Sequence, residues 1–333
     1  MGVIDITYVE YSLFKQCHRI LRGIEKSGIS RVFRNIFSLL QLLVTKDRNV
    51  LIGLAPNNLS ISLIKRLKKN HTCLFTSSWP YWDGARLVEA EIPVLPSQEG
   101  AWHRLIDGSL SVGITEAVCT AMAKHGATTF YIPHTVDTEH FCPDSSRRSS
   151  DTVRILFAGC LLKLKGVHLL LNVIKGQEWR NVEFWFVGRG KYEREIRNMQ
   201  QQGHPIRYFG HISSKGDMVS IYQQSDIFVL PTMRIGVNEE KFGIVLIEAM
   251  ACQLPVITTD CIGPKQVVEH GRTGIIIPQN DERALRDAID KMVKSSQLRS
   301  ELGKNGREKA ERIYDMKLNA ERWLEVMKKV YHA

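Results

Sequence analysis

The sequence predicts an α/β protein in which two Rossmann-like, doubly wound parallel-sheet domains face a cleft. Three observations support this fold class. Short apolar runs alternate with amphipathic stretches from about residue 150, the first 150 residues repeat the pattern more weakly, and a polar segment separates the halves. Strands alternating with helices form βαβ units, whose right-handed crossovers give a sheet covered on both faces. The 333 residues suffice for two such domains.

The second half of the chain shows the alternation most clearly. Its apolar runs predict strands at Val153–Ala158, Val182–Val187, Ile206–Phe209, Ile227–Leu230, Val256–Thr258 and Gly274–Ile277. The stretches between them predict helices at Val167–Ile174, Lys191–Gln202, Lys215–Gln224, Gly243–Ala251, Lys265–Glu269 and Glu282–Val293. Continuous apolar runs of this kind are typical of parallel strands that are buried on both faces.

The first half gives fewer elements. It predicts strands at Val50–Leu54, Thr72–Thr76 and Thr128–Ile132, and helices at Leu59–Lys69 and Glu116–His125. Pro143–Asp151 is rich in serine and arginine and is typical of an exposed linker. We therefore expect domains at residues 1–150 and 151–305, followed by a helix over 306–333 that packs back toward the first domain.

The distribution of charged and apolar residues indicates where the protein is located and what it binds. The net charge is +10, and residues 1–70 hold twelve Lys and Arg against four Asp and Glu, so the basicity is local. The longest apolar stretch, Ile36–Val44, is too short to span a bilayer, and Asp5 and Glu10 oppose a secretory signal. We expect a cytoplasmic protein that does not bind nucleic acid. Basic residues beside Phe33–Leu40 favour docking on an anionic membrane surface, and a solvated helix face is the alternative.

The paired glutamates Glu240 and Glu248 carry the strongest chemical signal. They flank Phe242 and Gly243, after the strand that ends at Leu230 and around the predicted start of a helix. A helix N-terminus has free N–H groups and a partial positive charge, which suits a diphosphate. Carboxylates placed beside a bound anion make sense if they bind hydroxyls, of a sugar on one side and a ribose on the other.

Two further turns follow predicted strands. Lys163 and Lys165 lie on the loop between Gly159 and Gly166, where lysines would project from the carboxyl edge of the sheet and meet phosphate. Gly188 belongs to a G-x-G turn that lacks the full dinucleotide-binding pattern, because residue 193 is Glu. Both turns are expected to line a ligand cleft.

These motifs together resemble the retaining glycosyltransferases of family 4, which have the GT-B fold. The resemblance runs from Val153 to about Tyr314, and in the first half the segment Tyr131–Pro143 resembles the end of the family's first domain. Its landmarks are Gly159…Lys165-Gly166, Val187-Gly188-Arg189-Gly190, Phe209-Gly210-His211, Ser225-Asp226…Pro231, Glu240…Glu248-Ala249-Met250-Ala251, Leu254-Pro255-Val256-Ile257 and Val267-Val268-Glu269…Gly274.

The resemblance implies a role for each matching residue. Lys165 would hold the donor diphosphate, Glu240 would contact the transferred sugar, and Glu248 would bind the ribose hydroxyls. The turn Gly210-His211 would lie near the base. The backbone of Phe242, Gly243 and Ile244 would meet the phosphates and the sugar. The reaction would be a metal-independent transfer from a UDP- or GDP-type donor to a glycan or lipid-linked acceptor on the first domain, with retention of configuration and no cofactor.

The sequence departs from the family pattern in four places. Cys160 stands where an arginine is common, so Lys163 is the candidate replacement cation, and Gln266 stands where a glutamate is frequent. The first strand and its glycine-rich loop are not recognisable, and the loop after Thr76 lacks the usual histidine. Two alternatives therefore stay open: a non-catalytic donor-binding GT-B subunit and an enzyme resembling sugar-nucleotide 2-epimerases.

Overall fold

A computed structural model of the chain describes residues 28–54, 61–82, 86–87, 92–93, 98–144 and 151–331. Within them two parallel sheets are each covered by helices, which is the expected α/β architecture. The helices are Gly28–Val44, Ile61–Asn70, Glu99–Ile106, Glu116–Ala123, Val167–Gly176, Glu193–Gln201, Lys215–Gln224, Ile244–Ala251, Pro264–Val267, Glu282–Lys294, Ser296–Lys309 and Met316–Tyr331.

The first domain is built on a four-stranded parallel sheet in the order β1-β2-β5-β6. A short antiparallel pair, β3 with β4, lies between β2 and β5 along the chain. The bounds are β1 Asn49–Leu54, β2 Thr72–Ser77, β3 Arg86–Leu87, β4 Ile92–Pro93, β5 Leu110–Gly113 and β6 Thr128–Tyr131.

The second domain holds a six-stranded parallel sheet in the order β12-β11-β10-β7-β8-β9. The chain runs outward from β7 to β9 and then returns to place β10 on the other side of β7. Open α/β sheets bind ligands where the strand order reverses in this way. The bounds are β7 Val153–Ala158, β8 Val182–Val187, β9 Ile206–Gly210, β10 Ile227–Leu230, β11 Val256–Thr259 and β12 Gly274–Ile277.

The last helix, Met316–Tyr331, covers one face of the first sheet. Neighbouring residues of a strand point to opposite faces, and both Leu74 and Phe75 of β2 are fully buried. Phe75 packs among the domain's own helices, whereas Leu74 and Val112 pack against Val326 and Val330 of the last helix. The chain therefore returns to the first domain after leaving the second.

Every predicted strand is present, with each end placed within one residue. Helix ends differ more: the helix predicted at Lys265–Glu269 is the single turn Pro264–Val267, because Val268 is already extended. Strands β3, β4 and β5 and the helices Glu99–Ile106 and Ser296–Lys309 were not predicted, and the helix expected over 306–333 begins only at Met316. Residues 145–150 of the predicted linker lie outside the described residues, as do residues 1–27. No helix in the described part of the chain is long and apolar enough to cross a membrane.

Candidate active site

The loops that follow β7 and β10 meet at the point where strand order reverses in the second sheet. Lys163–Lys165 form one 3-10 turn that ends at Gly166, whose φ is +72°. A Cβ on Gly166 would lie 1.8 Å from the carbonyl oxygen of Pro231, so the two loops pack backbone to backbone. The Met233 N–H also donates to the Leu164 carbonyl at 2.9 Å. Glycine at residue 166 thus brings the two loops together.

This packing brings Lys165 and Glu240 into direct contact as an ion pair. Both side chains are partly buried, with exposed fractions of 23% and 14%. The carbonyl of Glu240 accepts the Gly263 N–H at 3.1 Å, which fixes its backbone. The two residues assigned to diphosphate and sugar therefore lie together, whereas the Lys163 side chain is exposed at the start of the turn.

The helix Ile244–Ala251, which we call the site helix, begins directly after Gly243. Gly243 caps it with φ +88°, and the Leu246 N–H donates to the Gly243 carbonyl at 2.9 Å. Phe242 is buried, yet Ile244 at the first turn remains 46% exposed. The first N–H groups of a helix have no partner within it, so this end offers donors to an anion.

Glu248 lies farther along the site helix, in different surroundings. One carboxylate oxygen accepts a 2.8 Å hydrogen bond from the hydroxyl of Tyr222, which is fully buried. Burial raises the pKa of Glu248, and the Tyr222 hydrogen bond offsets part of this effect. Glu248 is thus held by a neutral donor, whereas Glu240 is held by a cation.

Gly188 and Gly210 lie side by side where β8 and β9 end. The Gly188 N–H donates to the Gly210 carbonyl at 2.7 Å, and the Tyr208 hydroxyl donates to the Gly188 carbonyl at 2.8 Å. A Cβ on Gly188 would lie 1.9 Å from the Gly159 carbonyl oxygen, so this turn also packs on the loop after β7. His211, the next residue after Gly210, is exposed.

Two further contacts connect the first domain with the second at this site, and the sequence predicted neither of them. The His134 ring of the first domain lies edge-on to Phe242, with centroids 4.9 Å apart. Burial lowers the pKa of His134, and the nearby Glu240 carboxylate partly offsets this. Gln266 accepts the Ala117 N–H of the first domain at 3.3 Å. Both contacts join distant parts of the sequence, and no local pattern would have indicated them.

The arrangement can hold an anionic group between Lys165 and the start of the site helix, with a carboxylate on either side. The described residues contain no cluster of three or more His, Cys, Asp or Glu side chains that could hold a metal ion.

Comparison with known proteins assigns the chain to a family. Residues 141–309, half of the chain, match the family model for glycosyl transferases group 1. The chain belongs to this family. The match covers the whole strand-order reversal, including both loops and the site helix.

The chain is similar to proteins that are named as glycosyltransferases of polysaccharide or of lipid. The capsular polysaccharide biosynthesis glycosyltransferase CapM of Staphylococcus aureus is 31% identical over 175 residues, 51% of this chain and 44% of CapM. A phosphatidyl-myo-inositol mannosyltransferase of Mycobacterium leprae is 28% identical over 234 residues, 69% of this chain and 61% of that protein. The chain thus spans about half the length of these relatives.

Solved structures identify the fold as GT-B. Anabaena HepE in complex with UDP superposes with a TM-score of 0.67 at 16% identity, covering 88% of this chain and 81% of HepE. Sucrose-phosphate synthase of Thermosynechococcus elongatus gives a TM-score of 0.66 at 21% identity, covering 85% and 74%. Two Rossmann-like domains that face a cleft are therefore confirmed.

Proposed function

We propose that this protein transfers a sugar from a nucleotide-sugar donor to a glycan or lipid-linked acceptor, with retention of configuration and without a metal ion. The observation that carries the proposal is the contact between Lys165 and Glu240 beside the start of the site helix. A cation and free helix N–H groups stabilise a leaving diphosphate, and a carboxylate within the same site can bind sugar hydroxyls.

Donor binding would replace the contact between Lys165 and Glu240. Lys165 would turn from Glu240 to the diphosphate, and Glu240 would accept hydrogen bonds from the transferred sugar. The backbone of Phe242, Gly243 and Ile244 would meet phosphate and sugar. Glu248 would bind the ribose, and the base would lie near Gly210 and His211. The turn at Gly188 would lie beside the nucleotide, and Lys163 would be a second cation for the phosphates.

The chemistry needs little beyond positioning and charge. The bond between the anomeric carbon and the diphosphate oxygen breaks, and the acceptor hydroxyl bonds to the same carbon from the same face. The hydroxyl proton passes to the departing diphosphate, so no protein base is required. Lys165 and the site helix stabilise the negative charge that develops on the leaving oxygen.

The acceptor is proposed from the relatives and from an exposed apolar surface. One relative is by name a phosphatidyl-myo-inositol mannosyltransferase, and another belongs to capsular polysaccharide biosynthesis. On the helix Gly28–Val44, the side chains of Phe37, Leu40 and Val44 are 70%, 55% and 77% exposed. They lie on one helix face at the expected spacing. We propose that this face, with the basic residues nearby, docks the protein on the anionic inner surface of the cell membrane.

A donor screen followed by a turnover assay tests the proposal. Thermal shifts would be measured with UDP-, GDP- and ADP-sugars, with and without EDTA, because a ligand that binds the folded state raises the melting temperature. We expect one donor class to stabilise the protein equally in EDTA. Loss of this shift in EDTA, restored by Mg²⁺ or Mn²⁺, would contradict metal independence.

Nucleotide release then separates the three activities. A transferase releases nucleotide faster when an acceptor glycan or lipid-linked sugar is added. An epimerase-like enzyme releases it without any acceptor. A donor-binding subunit shows the thermal shift and releases none, so either of the last two outcomes would overturn the proposal.

A further inference from the structure

The segment Ser77–Trp82 is held rigidly in the first domain. Ser77 ends β2, and its hydroxyl donates to the Leu54 carbonyl at 3.1 Å while accepting the Trp79 N–H at 3.1 Å. The fully buried Trp82 donates its indole N–H to the same hydroxyl at 3.3 Å and packs edge-to-face on Trp102 at 6.0 Å. The side chains between these two fixed residues therefore project from a stable support.

Two of those side chains cross the cleft and contact the neighbours of Glu240. The Tyr81 hydroxyl donates to the Glu239 carboxylate, and the Lys241 ammonium lies 4.4 Å from the ring centroid of Trp79. A hydrogen bond to a carboxylate and a cation over an indole face are both among the stronger polar contacts. The first domain thus holds the residue on each side of Glu240.

Glu239 is also fixed from within its own domain. It is only 8% exposed, and its second carboxylate oxygen accepts the Ile262 N–H at 3.0 Å. Burial, followed by the Glu239 hydrogen bond, raises the pKa of Tyr81, so the hydroxyl remains a donor at neutral pH. Without this donor the buried Glu239 carboxylate would move to find another partner, and the adjoining Glu240 would change position with it.

We propose that Tyr81 and Trp79 are positioning residues that aim Glu240 at the transferred sugar by holding Glu239 and Lys241 from across the cleft. The inference rests on the proposed function, in which Glu240 meets the sugar. Because both aromatic residues belong to the first domain, Glu240 is fully aligned only when the two domains are together.

The test uses the full chain with Tyr81→Phe, which removes only the hydroxyl, and Trp79→Leu, which removes the indole ring. Tyr331→Phe on the last helix, away from the cleft, is the matched control. We expect Tyr81→Phe to lower kcat by about tenfold, the size of one lost hydrogen bond to a charged group, with donor KM within about twofold. Adding Glu239→Gln to Tyr81→Phe should cost less than the two separate losses combined, because the residues act as a pair.

Hydrogen exchange provides a readout that does not depend on turnover. Peptides covering residues 237–243 should exchange faster in Tyr81→Phe and Trp79→Leu, and at the unaltered rate in Tyr331→Phe. If no donor is turned over by the unaltered protein, the proposed function fails, but exchange still decides the positioning role. Unchanged exchange in both variants would overturn the inference. So would a rise in acceptor KM at constant kcat, because Tyr81 would then contact the acceptor itself.

Discussion

Glu240 and Glu248 are two carboxylates beside one helix start, and their surroundings give them different properties. Glu240 contacts the Lys165 ammonium, whereas Glu248 is mostly buried and accepts a hydrogen bond from the neutral hydroxyl of Tyr222. Burial raises the pKa of Glu248, so this residue takes up a proton at a higher pH than an ordinary glutamate does. This difference allows the proposed sugar role of Glu240 and the proposed ribose role of Glu248 to be separated by experiment.

At this residue scale, Glu248→Gln should weaken binding of the bare nucleoside diphosphate by about tenfold at neutral pH, because the ionised carboxylate is the better acceptor for ribose hydroxyls. As pH falls through the raised pKa, Glu248 gains its proton and loses this advantage. The ratio of affinities between the unaltered protein and the variant should therefore fall toward one. Calorimetric titration between about pH 5 and pH 8 measures it, and the ratio cancels the titration of the nucleotide itself.

Glu240→Gln is the matched comparison for this prediction. It should keep the nucleotide affinity and its pH dependence, while kcat falls by about a hundredfold because the sugar contact is lost. Equal losses of nucleotide affinity in both variants would show that the sugar and ribose roles are wrongly divided.

At the scale of elements, the short turns after the strands determine whether the site forms. Gly166 and Gly210 have the same positive φ, +72°. They differ in space: a Cβ on Gly166 would lie 1.8 Å from the Pro231 carbonyl oxygen, and a Cβ on Gly210 would meet nothing within 4 Å. The pair therefore separates backbone strain from loop packing.

Gly210→Ala should lower the free energy of unfolding by about 1 kcal/mol, because alanine is strained in the left-handed conformation. Gly166→Ala should lower it by at least about 2 kcal/mol more, since the loop after β7 must move away from Pro231. Urea denaturation of both variants measures the difference. Equal losses would mean that the loops after β7 and β10 are not packed against each other as described.

The sequence predicts elements well where they are buried on both faces. Strands β7, β8, β10 and β11 are buried along almost their whole length, so their ends could be placed closely. Strand β5 was missed because its four residues include Ser111, a buried polar residue whose hydroxyl bonds to Ser109 at 3.0 Å. The helix Glu99–Ile106 was missed because it is only eight residues long and its N-cap residue, Gln98, makes no side-chain capping bond.

The candidate site could be predicted only within one domain. Lys165, Glu240 and Glu248 follow strands or begin helices, and local patterns indicate such positions. Tyr81, Trp79 and His134 contact residues more than one hundred positions away, and these contacts depend on how the domains face each other. Sequence spacing carries no information about such contacts.

At the scale of the whole molecule, one set of hydrogen bonds joins the two domains to the start of the last helix. We call this set the crossing. The N–H of Val136 donates to the Tyr314 carbonyl at 2.9 Å, and the Thr138 hydroxyl donates to the Asp315 carboxylate at 2.5 Å. The Arg307 guanidinium donates to the carbonyls of Thr138, Phe141 and Ala251 at 3.0, 2.7 and 2.6 Å. Ala251 ends the site helix, so the crossing is connected directly to the element that carries Glu248.

The first domain presents its exposed apolar face on a helix that also packs inward. Leu42 and Leu43 of Gly28–Val44 lie against the core of the first domain, while Phe37, Leu40 and Val44 face outward. Among the basic residues of the next helix, Lys65, Arg66 and Lys69 are exposed, and Arg66 also donates to the Leu43 carbonyl at 3.5 Å. Lys68 instead donates to the carbonyls of Leu105 and Asp107, both at 3.0 Å, and is therefore structural.

We expect the protein to sediment with vesicles of anionic lipid at low salt, with binding that rises with the anionic fraction and falls with ionic strength. Changing Lys65 and Lys69 to Gln should weaken binding by about thirtyfold, because each basic residue near such a surface contributes about 1 kcal/mol. Arg66 and Lys68 are left intact so that a loss of binding is not a loss of folding. A second variant with Phe37, Leu40 and Val44 changed to Ser should also lose binding, since it removes the inserted apolar area.

The matched control changes Met316 and Leu324 to Ser, because these two apolar side chains are also exposed but lie on the last helix. This variant should sediment like the unaltered protein. If the unaltered protein stays in the supernatant with anionic vesicles at low salt, the proposed docking surface is wrong. If the Met316 and Leu324 variant loses binding as strongly as the Phe37 variant, apolar exposure anywhere suffices and the helix Gly28–Val44 has no special role. Binding that needs both the apolar face and the exposed cations would place the first domain beside the membrane, within reach of the proposed lipid-linked acceptor.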